Sequence, residues 1–249
     1  MAKQVNQGKV SNYVKKVASV CKTYELISPG DKILVGVSGG KDSLFLLEAL
    51  AYVKKKLRLN ITIHAVHIHV AEAGYEINRT FLTDFCSSLK IDLRFENVLV
   101  NLTENPEKAP CFVCSWHRRK RLFDLTRELE CNKLALGHHM DDALETLFMN
   151  MMYHGSISSL PAKLKMFNGR IHLIRPLIEL SQEDLMLIAK LQQYPLLKSE
   201  CRFGGDTNRL QMRELLVKIK AMHHLAGKNM FRSMSRIFNE YLPVKSLKS

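Results

Sequence analysis

Apolar and polar positions along this chain alternate between two rhythms. Residues 32–37 (Lys-Ile-Leu-Val-Gly-Val) are an almost unbroken apolar run, and residues 61–67 form a second one rich in β-branched side chains. Runs this short and this apolar predict strands buried inside a sheet. Residues 43–56, between them, read as a helix. The alternation continues with a helix over 75–89, a strand over 93–98, a polar, proline-containing loop over 100–110 and a helix over 115–129. A short strand over 133–136, a helix over 141–153 and a strand over 171–174 follow. Ahead of this block, residues 11–27 carry Val14, Val17, Ala18 and Cys21 at helical spacing, after ten polar residues expected to fray. From Gln182 onward only helical patterns occur.

Strands alternating with helices predict an α/β fold, a parallel sheet with helices on both faces, here with helical N- and C-terminal extensions. The expected division is 1–28 as an N-terminal helical segment, 29–180 as the central domain and 181–249 as a helical C-terminal region. Ligands of such sheets bind at the carboxyl ends of the strands. The unusual residues of this chain fall there, at 38–43, 67–70 and 137–142.

Composition narrows the picture. The 249 residues suit one large domain, or one domain with an appendage, and 46% apolar content suits a real core. No apolar run approaches membrane-spanning length and no charged-then-apolar leader opens the chain, so a cytosolic protein without a membrane partner is expected. Lys and Arg number 37 against 24 Asp and Glu, a net charge of +13. Such an excess points to a polyanionic partner, nucleic acid first. Six cysteines are too sparse for a disulfide framework. Cys86 and Cys131 sit among apolar residues and are expected to be buried thiols.

Three motifs carry chemistry. Ser38-Gly39-Gly40-Lys41-Asp42-Ser43 lies between a predicted strand and a predicted helix. Glycines there expose backbone N–H groups, and the helix N-terminus adds positive potential, so the turn can cradle phosphate. Its spacing fits neither a Walker A loop nor a dinucleotide fingerprint. Read without a ligand, it is a tight turn with Asp42 or Ser43 as N-cap. The second motif pairs Cys111 and Cys114 just before Trp116 and the basic run His117-Arg118-Arg119-Lys120-Arg121. A C-x-x-C pair can bind zinc, hold part of an iron–sulfur cluster or act as a redox couple. Cys201, in a glycine-rich stretch, and His117 are the candidate additional ligands. The third motif, Gly137-His138-His139-Met140-Asp141-Asp142, sets two carboxylates at a helix start. They can hold Mg²⁺ or simply favour the helix dipole.

The first motif resembles the pyrophosphate-binding loop of the PP-loop ATP pyrophosphatases. All three motifs, in this order, resemble the tRNA 2-thiocytidine biosynthesis family, as do Asn150-Met151-Met152-Tyr153-His154-Gly155, Leu160-Pro161-Ala162-Lys163-Leu164, Ile174-Arg175-Pro176-Leu177 and Asn208-Arg209-Leu210-Gln211. The resemblance implies an enzyme that adenylates O2 of an anticodon-loop cytidine and replaces that oxygen with sulfur. It implies ATP binding by Ser38, Gly39, Gly40, Lys41, Asp42 and Ser43, with Ala65 and His67 flanking the adenine and Gly137 and His138 close to the nucleotide. Cys111, Cys114 and Cys201 would hold a 4Fe-4S cluster with one iron left open. Asp141 and Asp142 would serve Mg²⁺ or catalysis, Arg118 would stand at the reacting centre, and Arg118, Arg119, Lys120 and Arg121 would grip tRNA. The implied partners are tRNA and a sulfur donor such as a cysteine desulfurase, and relatives suggest a homodimer. Two departures stand out: Gly204 replaces the second cysteine of a C-x-x-C at the third position, and His69 stands where relatives often carry aspartate. The alternatives are a thiouridine-forming relative, a lysidine synthase, which needs no cluster, and a non-catalytic zinc-bound RNA-binding module.

Overall fold

The computed structural model describes residues 2–102, 109–195 and 208–243. Among them, one sheet is built from β1 (Lys32–Gly36), β2 (Thr62–Val70), β3 (Asp92–Val98), β4 (Lys133–Ala135), β5 (Lys163–Met166) and β6 (Ile171–Ile174). The order across the sheet is β3-β2-β1-β4-β6-β5. All neighbours run parallel except β5 and β6. The helices are α1 (Ala2–Thr23), α2 (Lys41–Lys56), α3 (Arg79–Ser88), α4 (Pro110–Glu128), α5 (Met140–His154), α6 (Gln182–Gln192), α7 (Asn208–Met222) and α8 (Ala226–Ser233).

The chain separates into two compact units. One comprises residues 1–139 and 161–206, the other residues 140–160 and 207–249. This division differs from the expected one at three elements: α1 and α6 belong with the sheet rather than to separate terminal segments, and α5 belongs with α7 and α8. In the first unit, Leu34, Val66, Ile68, Leu134, Ile171 and Leu173 pack with Leu122 and Leu125 of α4. Strand alternation turns Ile33 and Val35 to the opposite face, and both are fully buried as well. The central strands are therefore covered on both sides, which is why they read as unbroken apolar runs. In the second unit, Met140, Leu144 and Leu147 of α5 meet Leu216 of α7, with Met230 and Phe231 of α8 packed against them.

The differences from expectation have local causes. Pro110 opens α4 at its first turn, where proline's missing N–H costs nothing and its fixed φ is already helical. Cys111 and Cys114 therefore sit inside a helix, not ahead of the one expected from residue 115. The helix expected from residue 75 starts at Arg79 because the Asn78 side chain accepts a bond from Phe81 N and caps it. The stretch before it holds a 3-10 turn, Ala71–Ala73, closed by Gly74 at φ 71°. β2 runs on to Val70, and β5 was missing from the sequence pattern because it is a four-residue, lysine-bearing edge strand.

Candidate functional site

β1 lies between β2 and β4, so the chain steps outward through β2 to β3 and then crosses back to β4 on the other side of β1. That reversal opens a crevice at the carboxyl ends of β1 and β4. The loop after β1 lies there. Val37 N donates to Val66 O at 2.8 Å, Gly39 takes φ 84°, and Gly40 is the N-cap of α2. Ser38 Oγ accepts from Gly40 N at 3.3 Å and lies 3.2 Å from Ser43 Oγ, which donates to Gly40 O at 2.9 Å. Lys41 Nζ reaches Asp42 Oδ1 at 2.7 Å and Gln182 Oε1 at 3.4 Å. These bonds fix the loop's shape and set the Lys41 ammonium at the N-terminus of a 16-residue helix, where an anion is stabilised.

The third motif meets the first through a glycine. A Cβ on Gly137 would stand 3.2 Å from the Asp42 carbonyl carbon and 3.3 Å from Ser43 N. The turn after β4 thus rests directly on the first turn of α2. His138 follows, and its Nδ1 accepts from Arg175 Nε at 3.2 Å; Arg175 is buried and also donates to Pro161 O at 2.6 Å.

Beside the loop, Ala65, His67 and His69 point to one face of β2. Ala65 is buried within the strand, paired with Val35 and Leu93. His67 is fully buried, and its Nδ1 lies 2.8 Å from Val37 O. A carbonyl only accepts, so Nδ1 carries the proton and Nε2 presents a lone pair, which has no partner among the described residues. Burial pushes the His67 imidazolium pKa down to about 4 despite that bond, and the nearby Arg118, His69 and Arg79 push the same way. His69 Nδ1 and Glu72 Oε2 are likewise buried without a hydrogen-bond partner among the described residues. The His69 ring meets Tyr75 edge-on at 5.7 Å, and the Arg118 guanidinium stands 6.0 Å from the Tyr75 centroid. Glu72 and Tyr75 were not among the expected site residues; His69 lay in the 67–70 stretch expected at the ligand end, and the His-x-His alternation sets its imidazole on the same strand face as that of His67.

Cys111 and Cys114 lie one turn apart on α4, so their thiols share a side of the helix. Cys111 is exposed, and Cys114 is half-buried. Cys114 and Val113 pack against Val70, Ala73, Val100 and Leu102, which places the pair at the carboxyl edge of the sheet. Cys201 and Gly204 lie outside the described residues. Cys21, Cys86 and Cys131 are buried, and burial raises their thiol pKa values to about 12, 11 and 11; protonated thiols there serve as core. Among the described residues no group of three or more His, Cys, Asp and Glu forms a metal site.

The basic run divides by task. Arg119 Nη2 donates to Ser115 Oγ at 3.1 Å and Lys120 Nζ stands 5.6 Å from the Trp116 ring centroid; both cations are solvent-exposed. Arg121 is engaged within the fold. It donates to Glu96 at 2.8 Å and to Glu128 at 2.6 Å, tying α4 to β3.

The acidic pair lies at the start of α5 in the second unit. Asp141 pairs with Lys220. Asp142 pairs with Arg209 at 2.7 Å, and Arg209 and Arg213 both reach the buried Glu145, at 2.8 and 2.9 Å. These carboxylates clamp α7 onto α5, a task for Asp141 and Asp142 that the sequence pattern did not convey. Asn208-Arg209-Leu210-Gln211 carries one of the clamping cations.

Residues 9–218 match the PP-loop domain family. The chain is 31% identical over 251 residues to the tRNA-cytidine(32) 2-sulfurtransferase of Pseudomonas paraeruginosa, covering 98% of this chain and 90% of that protein. It is 35% identical over 218 residues to the protein of that name from Neisseria meningitidis, covering 85% and 68%. Among solved structures, the U34-tRNA thiolase NcsA from Methanococcus maripaludis with its [4Fe-4S] cluster shares the fold at a TM-score of 0.74 and 24% identity, over 93% of this chain and 79% of that one. With its glycine-rich loop at the switch point and this extent of likeness, the chain belongs to the tRNA 2-thiocytidine biosynthesis family of PP-loop proteins.

Proposed function

We propose that this protein is an ATP-dependent tRNA sulfurtransferase that converts a cytidine of the anticodon loop, position 32 by analogy with its relatives, to 2-thiocytidine. The observation that carries the reading is a juxtaposition: within one compact unit, a phosphate-cradling loop at the switch point and a helix bearing Cys111 and Cys114 both stand at the carboxyl edge of one sheet.

The 38–43 loop would hold the ATP phosphates on the backbone N–H groups of the first turn of α2, with Lys41 offsetting their charge. Adenine would lie along β2 beside Ala65 and His67, and Gly137 and His138 would border it from β4. The neutral His67 Nε2 is an acceptor ready for an N–H donor such as an exocyclic amine. Activation would form a bond from the base O2 to the α-phosphorus and release pyrophosphate. Replacement by sulfur would then release that oxygen with AMP. Arg118, held beside Tyr75, would face the anionic reacting groups, while Arg119 and Lys120 would meet tRNA phosphates. The donor set fits an iron–sulfur cluster: two thiols one turn apart at a half-exposed position, with Cys201 as third ligand. A 4Fe-4S cluster held there would supply an iron free of protein ligands at which sulfide is carried. The oxygens of Asp141 and Asp142 are the hard donors that Mg²⁺ takes. Both pair with cations in this structure, so metal binding there exchanges one charge partner for another.

Nucleoside mass spectrometry tests the reading. Holoprotein prepared without oxygen, with ATP, sulfide and unmodified tRNA, should yield 2-thiocytidine and one AMP per thiolated base. Thiouridine in its place would reassign the target base. Lysidine formed with added lysine, or no ATP-dependent product, would overturn the proposal.

A further inference from the structure

Phe112 and Trp116 are one helical turn apart on α4, and both are large apolar side chains left about half exposed, at 55% and 50%. At 3.6 residues per turn, Arg119, Phe112, Trp116 and Lys120 fall within an arc of roughly 100° on that helix. The buried apolar residues of α4, Leu122 and Leu125, lie on another side, and buried Thr126 stands at the border between the two. Two aromatic rings therefore stand outward, flanked by two exposed cations, on the same turns that carry Cys111 and Cys114. The Lys120 ammonium over the indole and the His117 ring edge-on to it at 4.8 Å hold Trp116 in place. Half-exposed aromatics of this size on a helix cost apolar exposure, and no packing within the described residues accounts for their outward placement.

We propose that this face of α4 is a stacking platform for unpaired bases of an RNA loop, with Phe112 and Trp116 each receiving a base and Arg119 and Lys120 meeting the phosphates beside them. Charge complementarity selects the occupant. The chain carries a net charge of +13, the platform's own charged groups are cations, and every nucleobase offers a π-face without regard to sequence. A duplex keeps its bases stacked on one another and cannot use the rings, so the platform distinguishes loop from stem. The inference rests on tRNA being the substrate and adds to that reading where the loop is gripped: on the turns of α4 that carry the thiols, along another side of the helix.

Trp116 is the chain's one tryptophan, so its fluorescence reports on the platform alone. The full-length holoprotein would be titrated with a 17-nucleotide anticodon stem-loop and, in parallel, with the same stem as a blunt duplex; end-label anisotropy gives the bound fraction. At equal occupancy the stem-loop should quench the indole emission and the duplex should leave it unchanged. Trp116→Leu and Phe112→Leu should each weaken stem-loop binding about tenfold, with duplex binding and melting temperature as in the wild type. Stem-loop binding without quenching, or Leu variants that bind the stem-loop like the wild type, would overturn the platform. So would failure of the stem-loop to bind. The thiolation assay on intact tRNA then separates the two readings, because a platform that fails while 2-thiocytidine still forms leaves the sulfurtransferase proposal intact.

Discussion

The two ends of the sheet treat polar groups in opposite ways. At the amino end, Asp31 is buried, and each bond it makes is answered by another residue of the fold. Ser28 N donates to its Oδ2 at 2.7 Å, Asn132 Nδ2 to its Oδ1 at 2.7 Å, and Lys133 stands 3.7 Å away, itself buried. Asn132 Oδ1 in turn accepts from Lys32 N at 2.9 Å. Burial lowers the Lys133 pKa, and Asp31 opposes that shift. At the carboxyl end, His67 Nε2, His69 Nδ1 and Glu72 Oε2 are buried yet unpartnered among the described residues, and the loop after β1 ends at the N-terminus of α2 with Lys41 in its first turn. Unsatisfied buried polar atoms cost stability, so a fold that closes one end and leaves the other unpaired reserves the second for something it binds.

The largest expected effect lies at the open end. Lys41→Ala should lower ATP-dependent AMP formation by roughly 100-fold or more, since it deletes a cation that would face the phosphates. Its unfolding free energy should stay within about 0.5 kcal/mol of wild type. A large loss of stability together with activity would mean that the loop is structural and would erase the contrast between the ends.

The closed end should respond the other way. Asp31→Ala leaves a buried Lys133 without its carboxylate, and breaking a buried pair costs about 3–5 kcal/mol. Urea denaturation should register that loss, while the protein that remains folded should bind ATP with wild-type affinity. An equal fall in affinity would show that the amino end is not separate from the site.

Acid sharpens the comparison through His67. Its folded pKa, about 4, lies below the ordinary 6.5, so the unfolded chain binds the extra proton. The stability contributed by the neutral imidazole is complete above pH 6.5 and fades as the pH falls toward 4, by about 3 kcal/mol in total. Denaturation followed from pH 7 to pH 4 should show that decline in the wild type, and His67→Gln should remove that part of it. Equal slopes in the two proteins would place the His67 pKa near its ordinary value, and its Nε2 would then be no ready acceptor.

Much of this is legible in the sequence. The buried parallel strands announced themselves as apolar runs, and the glycines after β1 marked the tight turn that opens α2, because both signals are local. What escaped notice depends on neighbours distant in sequence. Arg121 reads as one more cation in a basic run, yet it is bound to Glu96 and Glu128. Asp141 and Asp142 read as metal ligands or dipole partners at a helix start; their pairing with Lys220 and Arg209, 79 and 67 residues downstream, is not legible there. Pro110 is the local signal for the start of α4, because a proline in the first helical turn places both cysteines on the helix.

The smallest effect probes the join between two motifs. Gly137 needs no positive φ; what it needs is room, because a Cβ would press on the Asp42 carbonyl carbon at 3.2 Å and on Ser43 N at 3.3 Å. Both are backbone atoms of the first turn of α2 and cannot swing away as a side chain would. Gly137→Ala should therefore displace the phosphate loop by a few tenths of an ångström and weaken ATP binding by about tenfold, the scale at which small misplacements of oriented groups are felt. Isothermal titration with a non-hydrolysable ATP analogue would read the change, with melting temperature as the control. Full affinity in the alanine variant would mean that the turn after β4 yields instead of the loop, and that the two motifs meet without depending on each other.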